Sequence, residues 1–130
     1  MADSQSHTPD PAPPRLFLRV AHGPDRGKGW ELDPDTKYTL GRSRSCFLRL
    51  TDLTVSAVHA RLSSDRGVWY IQDNQSSHGT RLNNQRILAP RPLFDRDRIR
   101  LGKTVLEFRE YELLTEDELA EIDSGVTNIG

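Results

Sequence analysis

The sequence has little of several residue types and patterns that would define its class. It contains one cysteine, Cys46, and has no basic residue before Arg15 or after Arg109. A lone cysteine cannot form an internal disulfide, and no Cys or His stands near enough to complete a metal site. We therefore expect Cys46 to be a small core residue, and we expect neither a metal nor a cofactor. No apolar run is long enough to cross a bilayer, and the first residues lack the charged and apolar regions of a secretory signal. These absences predict a protein that stays inside the cell, in the cytoplasm or the nucleus.

The size and composition predict one folded domain. The chain has 130 residues, of which 35% are hydrophobic and 7% aromatic, with a mean hydropathy of -0.66. A chain of this length can bury one core but not two. We therefore expect a single globular domain.

Positive and negative charges are separated along the chain. The formal net charge is -1, but residues 15–109 hold all 18 Lys and Arg against 10 acidic residues, which gives this segment +8. Residues 110–130 contain seven acidic residues and no basic one. The middle segment therefore predicts an anionic partner. The acidic tail could fold over the basic face, or both charges could simply be solvated.

The composition divides the chain into three parts. Residues 1–14 contain four prolines among small polar residues, which predicts a disordered segment. Residues 15–110 form the predicted domain, and residues 111–130 form an acidic tail. In the tail, Thr115 and Glu118 fit a capping box, which predicts a short helix at 116–123. Such a short helix would persist only if it packed on the domain.

Short alternating runs separated by turn residues predict an all-β fold for residues 15–110. The segments 59–63 and Val68–Asp73, joined by Asp65-Arg66-Gly67, are typical of a hairpin. Pro90 and Pro92 indicate an irregular sheet edge. The complete set of predicted strands is 15–21, 29–32, 37–41, 47–50, 59–63, 68–73, 81–82, 87–88, 97–101 and 104–109.

The residues that could carry chemistry lie in three loops. Arg42 follows a strand, Ser56 precedes another, and Ser77 stands in a third loop. A guanidinium presents a fork of donors that suits phosphate oxygens, and hydroxyl groups add short hydrogen bonds. Because several loops can meet at one end of a sandwich, this set predicts a phosphate-binding site.

The pattern Gly41-Arg42, then Ser56-x-x-His59, then His78-Gly79-Thr80-x-x-Asn83 resembles the signature of the forkhead-associated (FHA) domain family. The resemblance covers about residues 15–109. It implies a sandwich of two mainly antiparallel sheets with about eleven strands. It also implies loops at one edge that bind phosphothreonine in partner proteins.

The resemblance assigns a role to each matching position. Arg42 and Ser56 match the principal phosphate-contacting arginine and serine, and Ser77 matches a hydroxyl residue that helps to hold phosphothreonine. Two positions depart from the common pattern: Ala57 replaces a polar residue, and His78 replaces the more usual asparagine. Ala57, His78 and the neighbouring Arg44 complete the predicted phosphopeptide-binding set.

A second group of matching residues is expected to support the loops rather than to bind the ligand. Asn83 matches an asparagine that ties loops together, so its substitution should damage folding before affinity. The full supporting group is Gly41, His59, Gly79, Thr80 and Asn83.

The function implied by the resemblance is a non-enzymatic module for phosphothreonine-dependent recognition in kinase signalling. Its partner would be a phosphothreonine-containing protein or peptide. The chain's own terminus is a further candidate, because Thr115 in an acidic context, or Thr8 before a proline, could be phosphorylated and occupy the site.

Three alternatives remain. A hydrolase would use Ser56, His59 and Asp73 as nucleophile, base and orienting acid, but no nucleophile-elbow motif surrounds the serine. Nucleic acid could bind the basic segment, although its few aromatic residues are not interleaved with basic ones. A scaffold that binds a partner without phosphate is the third alternative, which Ala57 and His78 keep open.

Overall fold

A computed structural model describes residues 14–111 of this chain. Eleven β-strands make up the regular structure of these residues. The predicted helix at 116–123 and all but the last residue of the segment 1–14 lie outside the described residues. Within residues 14–111 there is no helix. The strands are β1 Arg15–His22, β2 Gly29–Leu32, β3 Tyr38–Gly41, β4 Leu48–Arg49, β5 Ala60–Asp65, β6 Val68–Asp73, β7 Thr80–Leu82, β8 Gln85–Arg86, β9 Arg91–Pro92, β10 Arg98–Leu101 and β11 Thr104–Tyr111.

The strands form two sheets. One has six strands in the order β2-β1-β11-β10-β7-β8, and the other has five in the order β4-β3-β5-β6-β9. β3 and β4 run parallel, whereas β3–β5, β5–β6, β7–β10 and β10–β11 are antiparallel pairs. The predicted fold class, an all-β sandwich of about eleven strands in two sheets, is confirmed.

Alternation along the strands builds the core between the sheets. In β10, Ile99 and Leu101 are fully buried while Arg98 and Arg100 face solvent. In a strand successive side chains point to opposite faces, so one face of β10 joins the core and the other is left charged. Phe108 of β11 packs in the same core at 1% exposure. Burial of a side chain of this size stabilises the fold by about 1.5–3 kcal/mol.

The predicted hairpin is present. β5 and β6 pair from Ala60 opposite Asp73 to Asp65 opposite Val68. The two turn residues, Arg66 and Gly67, have φ angles of 53° and 83°. A two-residue turn with positive φ at both positions matches the right-handed twist of the flanking strands, which explains the uninterrupted pairing.

The strand predicted at 87–88 is wrong, because β8 lies at Gln85–Arg86. Asn83 and Asn84 form a two-residue turn with φ angles of 49° and 72°, so pairing resumes at once, with Gln85 opposite Leu82. The apolar pair 87–88 therefore comes after the strand, with Ile87 buried and Leu88 exposed.

The irregular edge predicted around Pro90 and Pro92 contains the two-residue strand β9. This strand is the last in its sheet. Proline has no N–H to donate, so its place in a strand is at an edge. The sequence pattern located the edge but missed the short strand within it.

Candidate functional site

Three connections meet at one edge of the molecule: residues 42–47 between β3 and β4, residues 50–59 between β4 and β5, and residues 74–79 between β6 and β7. The amide of Arg42 donates to the carbonyl of Ser56 at 3.1 Å. The amide of Ser77 donates to Oγ of the same Ser56 at 3.0 Å. Ser56 therefore joins the three connections, and the structure brings Arg42, Ser56 and Ser77 together. We call this place the three-loop edge.

Gly41 allows the first two connections to approach each other. A Cβ atom at this position would collide with the carbonyl oxygen of Ala57 and lie 2.9 Å from that of Ser56. Backbone atoms of a neighbouring loop cannot rotate away as a flexible side chain can. Any side chain at position 41 would therefore push Ser56 away from Arg42.

The guanidinium of Arg42 is anchored at one nitrogen. Its Nε donates to the carbonyl of Val55 at 2.6 Å, and the residue is exposed. Within residues 14–111, no acceptor engages the two terminal nitrogens of this guanidinium. The anchor fixes the plane of the group and leaves its outer edge facing solvent, which is the geometry that a fork of donors needs to bind an oxyanion.

Arg44 lies in the same connection, but the structure does not attach it to Ser56 or Ser77. The loop around it is held by Ser43, whose Oγ accepts from the amide of Ser45 at 3.1 Å. Ala57 lies exposed in the neighbouring connection, and its carbonyl accepts from the amide of Ser43 at 3.0 Å. The backbone of Ala57 therefore links two of the loops, while Arg44 extends into solvent.

His59 lies beneath the three-loop edge and is completely buried. Its Nδ1 accepts from the amide of Ser56 at 3.0 Å, so in the neutral ring Nε2 carries the proton and donates to the carbonyl of Gly79 at 2.9 Å. Burial lowers the pKa of His59 below its ordinary value of 6.5, because a charged ring would lose its hydration. The neutral imidazole thus spans two loops and holds Ser56 against the connection that carries Ser77.

Asp73 organises the third connection. Its carboxylate accepts from the hydroxyls of Ser76 at 2.5 Å and Thr80 at 2.6 Å, and from the amide of Ser76 at 3.1 Å. Burial raises the pKa of this carboxyl, but the hydrogen bonds from Ser76 and Thr80 outweigh burial and leave the pKa below its ordinary value. The ionised carboxylate therefore fixes both ends of the loop that presents Ser77 and His78.

The remaining predicted residues fall into two places. His78 is exposed at the tip of the third connection, and Gly79 follows with a φ angle of 85°, a conformation that suits glycine. Thr80 is buried, and its hydroxyl donates to the carboxylate of Asp73. Asn83, in contrast, lies beyond the other end of β7, where its side chain bonds Asp97 at 3.0 Å. The structure therefore places Asn83 away from the three-loop edge.

Sequence reasoning missed a buried clamp that holds the second connection to the β10–β11 turn. The carboxylate of Asp52 accepts from the hydroxyl of Thr54 at 2.7 Å and from that of Thr104 at 2.8 Å. Asp52 and Thr104 are 52 positions apart, so no local pattern reveals this pair. The role of Asp73 did have a local signal, since Asp followed three residues later by Ser is typical of a side-chain-capped turn.

The hydrogen bonds do not form the relay that the hydrolase alternative requires. Both ring nitrogens of His59 bond backbone groups, and Oγ of Ser56 accepts from the amide of Ser77 rather than bonding the ring. Asp73 is engaged by Ser76 and Thr80. The hydroxyl of Ser56 is therefore held by the third connection and not by the imidazole ring.

Two kinds of feature are absent from the part of the chain that the structure describes. Residues 14–111 contain no cluster of three or more His, Cys, Asp or Glu side chains arranged to hold a metal ion. The same residues include no helix long and apolar enough to pass through a membrane.

Comparisons with known proteins agree on one family. The model of the FHA domain family matches residues 38–102, which is half of the chain. A curated FHA domain-containing protein of Arabidopsis thaliana is 37% identical over 94 residues, covering 69% of this chain and 24% of that protein. This chain spans less than half the length of the curated relatives it matches.

Solved structures give the same result. The solution structure of the FHA domain of an Arabidopsis thaliana hypothetical protein has 32% identity and a TM-score of 0.73, and the match covers 79% of this chain and 91% of that one. A second structure, from a structural and functional analysis of phosphothreonine-dependent FHA domain interactions, has 28% identity and a TM-score of 0.68. That match covers 76% of this chain and 99% of the other.

Proposed function

Because the chain belongs to the FHA domain family, we propose that it recognises phosphothreonine in partner proteins through its three-loop edge. The observation that carries this proposal is that hydrogen bonds between three separate connections bring Arg42, Ser56 and Ser77 together. A solved relative from work on phosphothreonine-dependent interactions supports it. Residues 15–110 would form the recognition module.

Each of the three side chains has a distinct role in the proposed site. The free edge of the Arg42 guanidinium would bind two phosphate oxygens. Oγ of Ser56 already accepts from the amide of Ser77, so its hydroxyl hydrogen remains available to donate to the ligand. The exposed hydroxyl of Ser77 would supply another donor. A phosphate group brings close to two negative charges and three acceptor oxygens, and each charge-assisted hydrogen bond contributes ~1.5–3 kcal/mol.

The flanking residues would contact the peptide around the phosphothreonine. His78 and Ala57 are exposed and directly follow Ser77 and Ser56 in the sequence, and Arg44 adds an exposed positive charge two residues after Arg42. An imidazole at position 78 can donate to or accept from a peptide backbone, as the more usual asparagine does. The five residues Gly41, His59, Gly79, Thr80 and Asn83 would act through loop geometry and not through contact with ligand.

A phosphothreonine reader implies a particular setting. Its partner would be a substrate of a threonine kinase, which places the module in kinase signalling and inside the cell. The termini supply a further proposed ligand, since phosphorylated Thr115 or Thr8 could occupy the site of the same or a neighbouring molecule. Both threonines lie outside the described residues. Binding of an external phosphopeptide should then weaken once the chain itself is phosphorylated, and unchanged binding would exclude this mode.

The proposal is tested by calorimetric titration with one peptide sequence in three forms: phosphothreonine, phosphoserine and threonine. We expect binding of the first, weaker binding of the second through loss of one methyl contact worth ~1–3 kcal/mol, and no binding of the third. Arg42→Ala should abolish binding without changing the thermal midpoint. Arg61→Ala is the matched control, because Arg61 is an exposed arginine of β5. Equal binding of the threonine form would instead indicate a scaffold that does not need phosphate.

A further inference from the structure

The outer face of the six-stranded sheet carries a row of arginines beside the three-loop edge. In the strand register Arg81 of β7 lies opposite Arg86 of β8 on one side and opposite Arg100 of β10 on the other. Arg98 lies on the same face of β10, two residues before Arg100. We call Arg81, Arg86, Arg98 and Arg100 the arginine face. We propose that it binds acidic side chains of the partner that lie outside the phosphothreonine-binding residues themselves.

Three residues of the arginine face, Arg81, Arg98 and Arg100, line two adjoining concavities. The larger, of about 440 Å³, is lined by His78 and Gly79 of the third connection and by Arg81, Arg100 and Lys103. The smaller, of about 290 Å³, continues from it past Arg98, and the two share Asn84 and Arg100. Together they form a groove that starts at the third connection of the three-loop edge and runs along the outer sheet face.

No carboxylate of residues 14–111 forms an ion pair with the cations of this groove. No salt bridge within residues 14–111 involves Arg81, Arg100 or Lys103. Arg81 bonds the carbonyl of Asn84 at 3.3 Å, and Nε of Arg100 bonds the carbonyl of Gly102 at 2.9 Å. Bonds to backbone carbonyls orient a guanidinium without neutralising it, so the positive charge stays available to a ligand.

In a neighbouring part of the same sheet, an arginine is paired with a carboxylate. Arg19 of β1 bonds the carboxylate of Glu107 of β11 at 2.8 Å. Glu107 stands opposite Arg98 in the register, so the carboxylate opposite Arg98 is already engaged by Arg19. Like charges placed directly opposite each other in a sheet repel. The row at Arg86, Arg81 and Arg100 has no ion-pair partner among residues 14–111 and is therefore unfavourable for this sheet, which points to a ligand as its counter-charge.

The dimensions of the groove suit an extended acidic peptide. Arg98 and Arg100 lie two residues apart on β10, which separates their Cα atoms by roughly 7 Å. An extended peptide covers that distance with about two residues. Because the groove begins at His78 and Gly79, a peptide held at the three-loop edge could continue into it. This inference therefore rests on the proposed function.

A protein segment fits the groove better than a nucleic acid does. Single-stranded nucleic acids bind where aromatic side chains stack on bases beside a positive surface. Neither concavity is lined by a Phe, Tyr or Trp side chain. Arg98 and Arg100 have the spacing of alternate residues in an extended peptide, so an acidic peptide is the occupant we propose.

The test compares three synthetic peptides and two double variants by fluorescence anisotropy. The peptides are a phosphothreonine peptide with neutral flanks, the same peptide with four glutamates on either side, and the unphosphorylated acidic peptide. One variant combines Arg81→Gln with Arg100→Gln. The control combines Arg61→Gln with Arg91→Gln, which removes the same charge from exposed positions of the other sheet.

We expect the unchanged protein to bind the acidic phosphopeptide about 3- to 10-fold more tightly than the neutral one, as two exposed ion pairs would provide. The Arg81/Arg100 variant should lose this preference but bind the neutral phosphopeptide normally, and the control should keep it. The inference is overturned if the unchanged protein has no preference, or if both variants lose it equally. Tighter binding of a single-stranded RNA oligonucleotide than of the acidic peptide would also overturn it. Failure of the proposed function has a different signature, namely neutral-flank binding that does not depend on phosphorylation.

Discussion

The three-loop edge and the arginine face carry charge of the same sign but hold it in different ways. At the three-loop edge one guanidinium is fixed by a backbone carbonyl, and the loops around it are locked by buried His59 and Asp73. On the arginine face four guanidinium groups stand exposed, and those of Arg81 and Arg100 are oriented by nearby backbone carbonyls. The first arrangement favours recognition of one group with defined geometry. The second favours attraction to negative charge over a broader surface.

The largest effect should come from removing the hydrogen bonds that Asp73 accepts beneath the three-loop edge. Asp73→Ala removes the acceptor for the hydroxyls of Ser76 and Thr80, and Thr80 is fully buried. Bonds to a charged group contribute ~1.5–3 kcal/mol each and are partly replaced by water, so we expect a loss of about 2–4 kcal/mol in the free energy of unfolding, measured in urea. Asp65→Ala, which removes an exposed carboxylate of β5, should change it by less than about 0.5 kcal/mol. Equal losses in the free energy of unfolding would show that the hydrogen bonds of Asp73 do not stabilise the third connection.

A smaller effect should follow from the protonation of His59. Its pKa in the fold lies below 6.5, so as pH falls below about 6.5 the unfolded chain takes up a proton that the folded chain does not. Stability from the neutral ring is therefore complete above pH 6.5 and decreases below it, by at most ~1.4 kcal/mol per pH unit, until the lower folded pKa is reached. Asp73 and His78 face this ring and act in opposite directions on its pKa.

Urea unfolding at several pH values measures this decline. The lowered pKa of Asp73 acts in a more acidic window: its contribution is complete above 3.8 and is lost as pH falls through the folded pKa. His78→Ala should keep the decline below pH 6.5, because His78 is exposed. A flat stability between pH 5 and 7 would contradict the burial of a neutral His59.

Added salt should weaken binding at the arginine face more than binding at the three-loop edge. We expect this difference to be smaller than the effects above. Between about 0.1 M and about 1 M salt the Debye length falls from about 10 Å to about 3 Å, which screens exposed pairs more than direct contacts. The about 3- to 10-fold preference for acidic flanks should therefore disappear. Binding of the neutral phosphopeptide should weaken less. Anisotropy titrations across this range measure both, and parallel curves for the two peptides would show that the regions do not differ.

The smallest effect should be a gain in stability on the arginine face. Arg81→Thr relieves repulsion with Arg86 and Arg100 and places a β-branched residue in β7, which favours a strand. We expect the free energy of unfolding to rise by ~0.2–1 kcal/mol while the preference for acidic flanks falls. Thermal unfolding measures the first quantity. Destabilisation would mean that Arg81 serves the fold and not a partner.

The sequence predicted the sandwich better than it predicted the site, for physical reasons. Alternation in β10 and the Arg66–Gly67 turn are local signals, and both were readable. The start of β8 was misplaced because the turn at Asn83 and Asn84, rather than the apolar pair after it, determines where pairing resumes.

The site depends on contacts between distant segments. Ser56 and Ser77 are 21 positions apart, so their meeting was expected only from the convergence of loops at one end of a sandwich and from the family resemblance. Asp52 and Thr104 have no signature at all. The arginine face extends across β10, β7 and β8, and it depends on a strand register that composition does not reveal.

The central claim is that the three-loop edge, and not the sheet face, receives the phosphate. The most direct measurement is amide chemical-shift mapping by NMR with matched phosphothreonine and threonine peptides that have neutral flanks. We expect the largest phosphate-dependent shifts at the amides of Arg42, Ser56 and Ser77, with small shifts at Arg81 and Arg100. Phosphate-dependent shifts centred on Arg81 and Arg100, with Arg42 and Ser56 unmoved, would contradict the account.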